Sequence, residues 1–275
     1  MRIKTFAVVV LAVFLAGPVL ADWDPSMDHK MHFPQLPDLD NGVNVLAREP
    51  KILADDWQCS ESGWVTDIHI WGSWDNDKWP TWGLYADLYI FKDIPALLDP
   101  ADNTTVLEHS RPGELVWRQS FPGVLSLNSK FWGDPEPEGF YDPNTNEIIG
   151  EDKFITQYNF YVPLDNAFRQ EQGQVYWLGV QKRDFDFDND LFGWKSSADN
   201  FLDDAVYLDL APQGIPIPLH ETLLGWEEMY NPHTGESMNL SFVITGVIPE
   251  PATVTLVMFS TGGLLALRRR RRQRR

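Results

Sequence analysis

From Trp64 to Trp71 the side chains alternate, with Trp64, Thr66, Ile68 and Ile70 on one side and Val65, Asp67, His69 and Trp71 on the other. A period of two predicts a half-buried β-strand. The same period recurs over Gly83–Phe91, with Leu84, Ala86, Leu88 and Ile90 on the inner face. It returns over Phe154–Leu164, where Phe154, Thr156, Tyr158, Phe160 and Val162 oppose Ile155, Gln157, Asn159 and Tyr161. Met238–Val247 turns Leu240, Phe242 and Ile244 inward. Leu115–Phe121, Gly193–Ser197 and Ala205–Leu210 read as further strands, and the nearly continuous apolar run Val175–Gln181 as a central one. Polar, Gly- and Pro-rich stretches separate them: Gly72–Thr81, Asp99–Thr105, the long surface loop Phe131–Asn146 and the connection Pro212–Pro218. Asp22–Pro50 is rich in Pro, Asp and Asn and reads as an extended entry segment with one short strand around Val43–Leu46. Nowhere between Asp22 and Val247 do apolar residues keep helical spacing beyond about two turns. Strands without intervening helices predict an all-β body over 51–247, an antiparallel β-sandwich of jelly-roll type.

The two ends depart from this pattern. Arg2 and Lys4 precede the apolar run Phe6–Leu15, Gly17-Pro18 breaks it, and Val19-Leu20-Ala21 places small residues at a cleavage point. This predicts a secretory signal helix over 1–21, cut after Ala21, with no cysteine following that would make a lipoprotein. At the other end, over 248–275, Pro249-Glu250-Pro251 is followed by the uncharged run Ala252–Leu267 and then by Arg268–Arg275, seven arginines and one Gln. The run is shorter than the roughly 20 apolar residues of a spanning helix. Val247, Ile248 and the snorkelling stems of the arginines extend it into a transmembrane helix. The arginines stay on the cytoplasmic side and everything before Pro249 lies outside.

These three parts, in this order, resemble the PEP-CTERM sorting tail of bacterial envelope proteins. The resemblance implies recognition by an exosortase and cutting near Pro249, Glu250 and Pro251, with Arg268, Arg269 and Arg270 opening the retained basic cluster. It implies signal peptidase and exosortase as processing partners. It also implies transient anchoring in the inner membrane, then residence at the cell surface or in the extracellular matrix. The blocks Leu53–Cys59, Thr66–Trp74, Phe192–Ser197 and Asp203–Tyr207 are similar to an exported domain that accompanies such tails in planctomycete-type bacteria. That likeness implies a β-rich envelope domain and carries over no catalytic residue.

Charge follows the same division. Of 22 Lys and Arg, two lie in the N-terminal segment and seven in the tail, leaving 13; of 40 Asp and Glu, only Glu250 is outside the body, leaving 39. A body of net charge −26 repels nucleic acid and anionic lipid and attracts cations. With one cysteine, Cys59, no internal disulfide can form, and its neighbours Trp57 and Trp64 favour a buried thiol.

Several residues could carry chemistry. Asp184, Asp186, Asp188 and Asp190 alternate through Asp184-Phe185-Asp186-Phe187-Asp188-Asn189-Asp190 and could converge on calcium, which takes six to eight oxygens. Asn189 at the sixth position and Lys195 at the twelfth exclude an EF-hand; the bland alternative is a hairpin tip with Phe185 and Phe187 packed inward. Twelve tryptophans is a surplus, and Trp71, Trp74, Trp79 and Trp82 gather in or beside one polar stretch. Exposed Trp stacks on the apolar face of a sugar; the alternative is that these four fill the core. His29, His32, His69, His109, His220 and His233 have no metalloprotease spacing, and His69 reads as a hydrogen-bonded structural residue. Glycosidase carboxylates have no spacing signature, so Asp55-Asp56 and Asp203-Asp204 are candidates only in that general sense. No nucleophile elbow or phosphate loop is present. The expectation is an exported structural or binding protein that takes polysaccharide, with calcium as its one candidate cofactor; the alternative is a glycan-active hydrolase or lyase on the same scaffold.

Overall fold

The computed structural model describes residues 22–124, 129–133, 136–184, 190–210 and 217–247. The expected signal helix with Ala21, and the tail with Pro249, Glu250, Pro251, Arg268, Arg269 and Arg270, lie outside the described residues. Among the described residues no helix is long and apolar enough to cross a membrane. Their one helical element is a 3-10 turn, Asp75–Asp77.

The rest is all-β. The strands are β1 (Asn44–Leu46), β2 (Lys51–Gln58), β3 (Gly63–Trp74), β4 (Leu84–Ile94), β5 (Leu97–Leu98), β6 (Val106–Glu108), β7 (Arg111–Val124), β8 (Ser129–Gly133) and β9 (Glu138–Asp142). They continue with β10 (Glu147–Asp152), β11 (Ile155–Tyr161), β12 (Phe168–Gln170), β13 (Val175–Lys182), β14 (Phe192–Ser197), β15 (Val206–Asp209), β16 (Glu227–Glu228), β17 (Asn239–Leu240) and β18 (Phe242–Val247). The larger sheet runs β10-β9-β1-β14-β3-β11-β8, with β12 and β18 also on β3 and β17 on β14. The smaller runs β16-β15-β2-β13-β4-β7. Their ladders are antiparallel except for β1 beside β9.

Alternation explains how the sheets meet. Ile68 and Ile70 of β3, Tyr158 and Phe160 of β11, and Phe242 and Ile244 of β18 share one core with Leu53 and Trp57 of β2, Leu88 and Ile90 of β4, and Leu178 and Val180 of β13. Ring pairs bridge the sheets: Phe121 meets Phe160 edge-on at 5.0 Å, and Trp57 meets Phe242 at 6.2 Å. A second cluster covers the outer face of the smaller sheet, where Ile217, Leu223 and Trp226 lie over Ile52, Phe91 and Trp177. β13 is therefore apolar on both faces, as its unbroken run of apolar residues requires.

Three stretches depart furthest from the sequence expectation. β3 is buried on both faces, because Trp23 and Trp132 lie against Trp71 at 6.0 and 5.0 Å. It also runs on to Trp74, so the following loop begins at Asp75 rather than Gly72. The stretch expected as one surface loop, Phe131–Asn146, contains part of β8 and all of β9, whose Phe140 and Tyr141 are buried. The entry segment is part of the core: Trp23, Met31 and Gln35 are buried, and the Lys30 and Gln35 amides donate to the carbonyls of Ile244 and Phe242 at 2.8 and 3.2 Å.

Candidate functional site

β3 ends at Trp74, and the chain then crosses to β4 through residues 75–83. Asn76 and Asp77 both take left-handed backbone angles, φ 54° and 55°, a region that Asn and Asp enter more readily than other non-glycine residues. Asp77 pins the loop, since its Oδ1 accepts the backbone N–H groups of Lys153 and Phe154, each at 2.9 Å. The Trp82 carbonyl closes against Gly123, where a Cβ would come within 2.9 Å of it. The loop is thus held to both the β10–β11 turn and the end of β7.

The four candidate tryptophans separate here. Trp71 and Trp74 are core residues, and the Trp74 Nε1–H donates to Tyr158 Oη at 2.8 Å. Neither offers a face to a sugar. Trp79 and Trp82 are 46% and 62% exposed. Phe131 and Phe154, also exposed, stand 6.0 Å apart at the same end of the sheet. Exposed rings on a pinned loop offer the apolar surface on which a saccharide stacks.

Beneath this loop the outer face of the larger sheet is polar. Lys195 forms a buried ion pair with Glu138. The Asn44 Nδ2 donates to Asp152 Oδ1 at 2.8 Å and to Glu138 Oε2 at 3.3 Å. Burial pushes Asp152 up to about 8, with Glu138 adding to the shift, raises the Glu138 carboxyl and lowers the Lys195 ammonium. Gly150 makes the room: a Cβ there would fall 2.0 Å from Asp75 Oδ1. Asn44 Oδ1, Glu138 Oε1 and Asp152 Oδ2 meet no donor among the described residues.

A second acidic group lies on β2. Asp55 and Asp56 point to opposite faces, as neighbours in a strand must. Asp55 is wholly engaged, accepting from Gln35 Nε2, the Asp56 N–H and the Leu240 N–H. Asp56 faces outward beside Trp177, and neither of its oxygens meets a donor among the described residues. The β2–β15 pairing brings Asp203 and Asp204 into its field, and Asp93 completes the group. Burial, then Asp55 and these acids, push Asp56 up to about 10. The two Asp pairs singled out in the sequence, 148 residues apart, are therefore neighbours; the strand pairing that joins them leaves no local sequence signal.

The remaining candidates are structural or incompletely described. Asp184 is paired with Arg48 and lies 3.1 Å from Lys182 Nζ. Asp186 and Asp188 lie outside the described residues, and Asp190 has an interaction of its own. Among the described residues no three His, Cys, Asp or Glu side chains converge as a metal set. His69 is buried, its Nδ1 is 2.7 Å from Asn159 Oδ1, and burial lowers its imidazole to about 4. The Cys59 thiol is free and buried.

Residues 31–245 match the family described as Domain of unknown function (DUF7901). The chain belongs to this family. The DUF7901 match spans both sheets and most of the entry segment, and it stops short of Pro249. No curated protein matches the chain.

Proposed function

We propose that this DUF7901 protein is an exported, jelly-roll-type β-sandwich that its PEP-CTERM tail sorts to the envelope or extracellular matrix, where it binds polysaccharide. The observation that carries the binding reading is the pinned loop of residues 75–83, which holds Trp79 and Trp82 out to solvent. Rings immobilised before binding lose little entropy on stacking. The sorting reading rests on the two terminal segments, which flank the matched domain in the order export requires. A glycan array with the exported chain tests the first, and W79A/W82A should lose the signal. Membrane fractionation tests the second: the chain should remain with the inner membrane when the Pro249-Glu250-Pro251 element is replaced by alanines.

The gathering of Asp56, Asp93, Asp203 and Asp204 favours a second reading, a glycan-active hydrolase or lyase on the same scaffold. A polysaccharide-hydrolysis screen separates the two. Turnover lost in Asp93→Asn supports the enzyme, and binding without turnover supports the module. Calcium at Asp184–Asp190 would compete with Arg48 and Lys182 for Asp184; a rise in Tm on adding calcium, reversed by chelator, tests it.

A further inference from the structure

At the end of the sheets opposite Trp79 and Trp82, the end of β4, the start of β13 and β12 enclose a cleft of about 630 Å³. That is within the roughly 300–1,000 Å³ of small-ligand sites. One wall is aromatic: Phe168 and Tyr176 stand nearly perpendicular with centroids 5.1 Å apart, next to Val116 and Val175. The opposing groups are polar. Asp93 stands at the rim of the cleft with its carboxyl turned to the outer face of the smaller sheet, where its Oδ1 accepts the Trp177 Nε1–H at 2.9 Å. The Tyr176 hydroxyl accepts the Glu171 N–H at 3.2 Å and keeps its own proton to donate.

Two of the body's 13 cationic side chains, Lys92 and Arg169, stand at this cleft. Arg169 is ion-paired at 3.8 Å with Glu171, which also lines the cleft, and its side chain is 55% exposed, so its planar fork can turn from that carboxylate to a ligand's. Lys92 is held by Glu114 at 2.6 Å but is 58% exposed. Elsewhere the net charge of −26 repels a long polyanion, so the cleft suits one acidic unit rather than a run of them.

We propose that this cleft binds a single carboxylated sugar, a uronate, with its carboxylate on Arg169 and Lys92, its apolar face on Phe168 and Tyr176, and a hydroxyl on the Tyr176 Oη. The site is separate from the Trp79–Trp82 face and stands whether or not that face binds glycan. Isothermal titration of the purified chain with D-galacturonate, D-galactose and a short oligogalacturonide tests it. D-galacturonate should bind at least 10-fold tighter than D-galactose, and R169Q should abolish that preference. K92Q should reduce it, and W79A/W82A should leave it unchanged. Tighter binding of the oligogalacturonide than of the monomer identifies a chain end as the source; equal binding identifies the free sugar. Equal affinity for D-galacturonate and D-galactose, no binding of D-galacturonate, or D-galacturonate binding indifferent to R169Q would each overturn the proposal.

Discussion

The backbone N–H of Leu240 donates to Oδ2 of Asp55 at 2.6 Å, across 185 residues of chain. Asp55 belongs to β2 in the smaller sheet and Leu240 to β17 in the larger, so one buried carboxylate joins the two layers. Gln35 Nε2 reaches the same oxygen at 2.9 Å and ties in the entry segment. Asp55→Ala strands these donors in the core and should cost about 3–5 kcal/mol. Asp55→Asn keeps an acceptor oxygen and should cost less than half as much. Urea denaturation distinguishes the two; equal losses would mean that the carboxylate's hydrogen bonds do not set the cost.

Asp56 predicts a pH dependence. Its carboxyl is pushed up to about 10, and those of Asp55 and Asp152 to about 8. The unfolded chain releases these protons near pH 3.9, so the folded state holds protons that the unfolded state has lost. Stability from these acids is full below that pH and is lost as pH rises through the folded values. His69 and His32, lowered to about 4 and about 3, act in the opposite sense, but only below about 6.5. From pH 6.5 to 8 the urea midpoint should therefore fall. Asp56→Asn should flatten that fall and stabilise the chain by about 1–3 kcal/mol at pH 8, because neither Asp56 oxygen meets a donor among the described residues. A midpoint that rises over this window would refute the assignment.

How much of this was legible in the sequence follows from what a period of two reports. It says which residues share a face, and Leu84, Ala86, Leu88 and Ile90 do line the core as their alternation predicts. It does not say what covers that face. Trp71 reads like Trp79 in sequence, yet Trp23 and Trp132 close over Trp71 while Trp79 stays open. Short strands among prolines have too few residues to show a period, which is why β9, between Pro137 and Pro143, reads as loop. The Lys195–Glu138–Asn44–Asp152 group joins four strands that only the topology makes adjacent. Its one local trace is a charged residue, Lys195, inside an otherwise uncharged strand.

That group yields a double-mutant test. Lys195→Met leaves Glu138 buried with Asn44 as its one side-chain donor among the described residues and should destabilise by about 3–5 kcal/mol. Glu138→Gln alone leaves the Lys195 ammonium without its carboxylate and should also destabilise. The double variant removes both charges and should recover at least about 1 kcal/mol of the summed losses. Strict additivity would show that the two side chains are not energetically coupled.

The tryptophans give opposite outcomes by position. Trp74→Ala opens a core cavity and strands the Tyr158 hydroxyl, at an expected cost of about 3–5 kcal/mol. Trp79→Ala and Trp82→Ala remove exposed rings and should change stability by less than about 0.5 kcal/mol. Their glycan affinity should instead fall roughly 10-fold, which corresponds to about 1.4 kcal/mol. Denaturation midpoints and glycan titrations on the same three variants make the comparison.

Trp23 extends the argument to the start of the described residues. It is 2% exposed, packs edge-on against Trp71 at 6.0 Å and lies 6.5 Å from the His69 ring. The preceding Asp22 accepts from Asn159 Nδ2 at 2.9 Å, so the first two residues after the expected cleavage at Ala21 fasten onto β3 and β11. Removing Asp22 and Trp23 should uncover Trp71 and cost about 3 kcal/mol, close to the loss of one large buried side chain. Trp71 fluorescence should shift to the red as water reaches it, and burial of His69 should no longer hold its imidazole near 4. A truncated chain with unchanged midpoint, emission and histidine titration would show that the entry segment rests on the sheet without stabilising it.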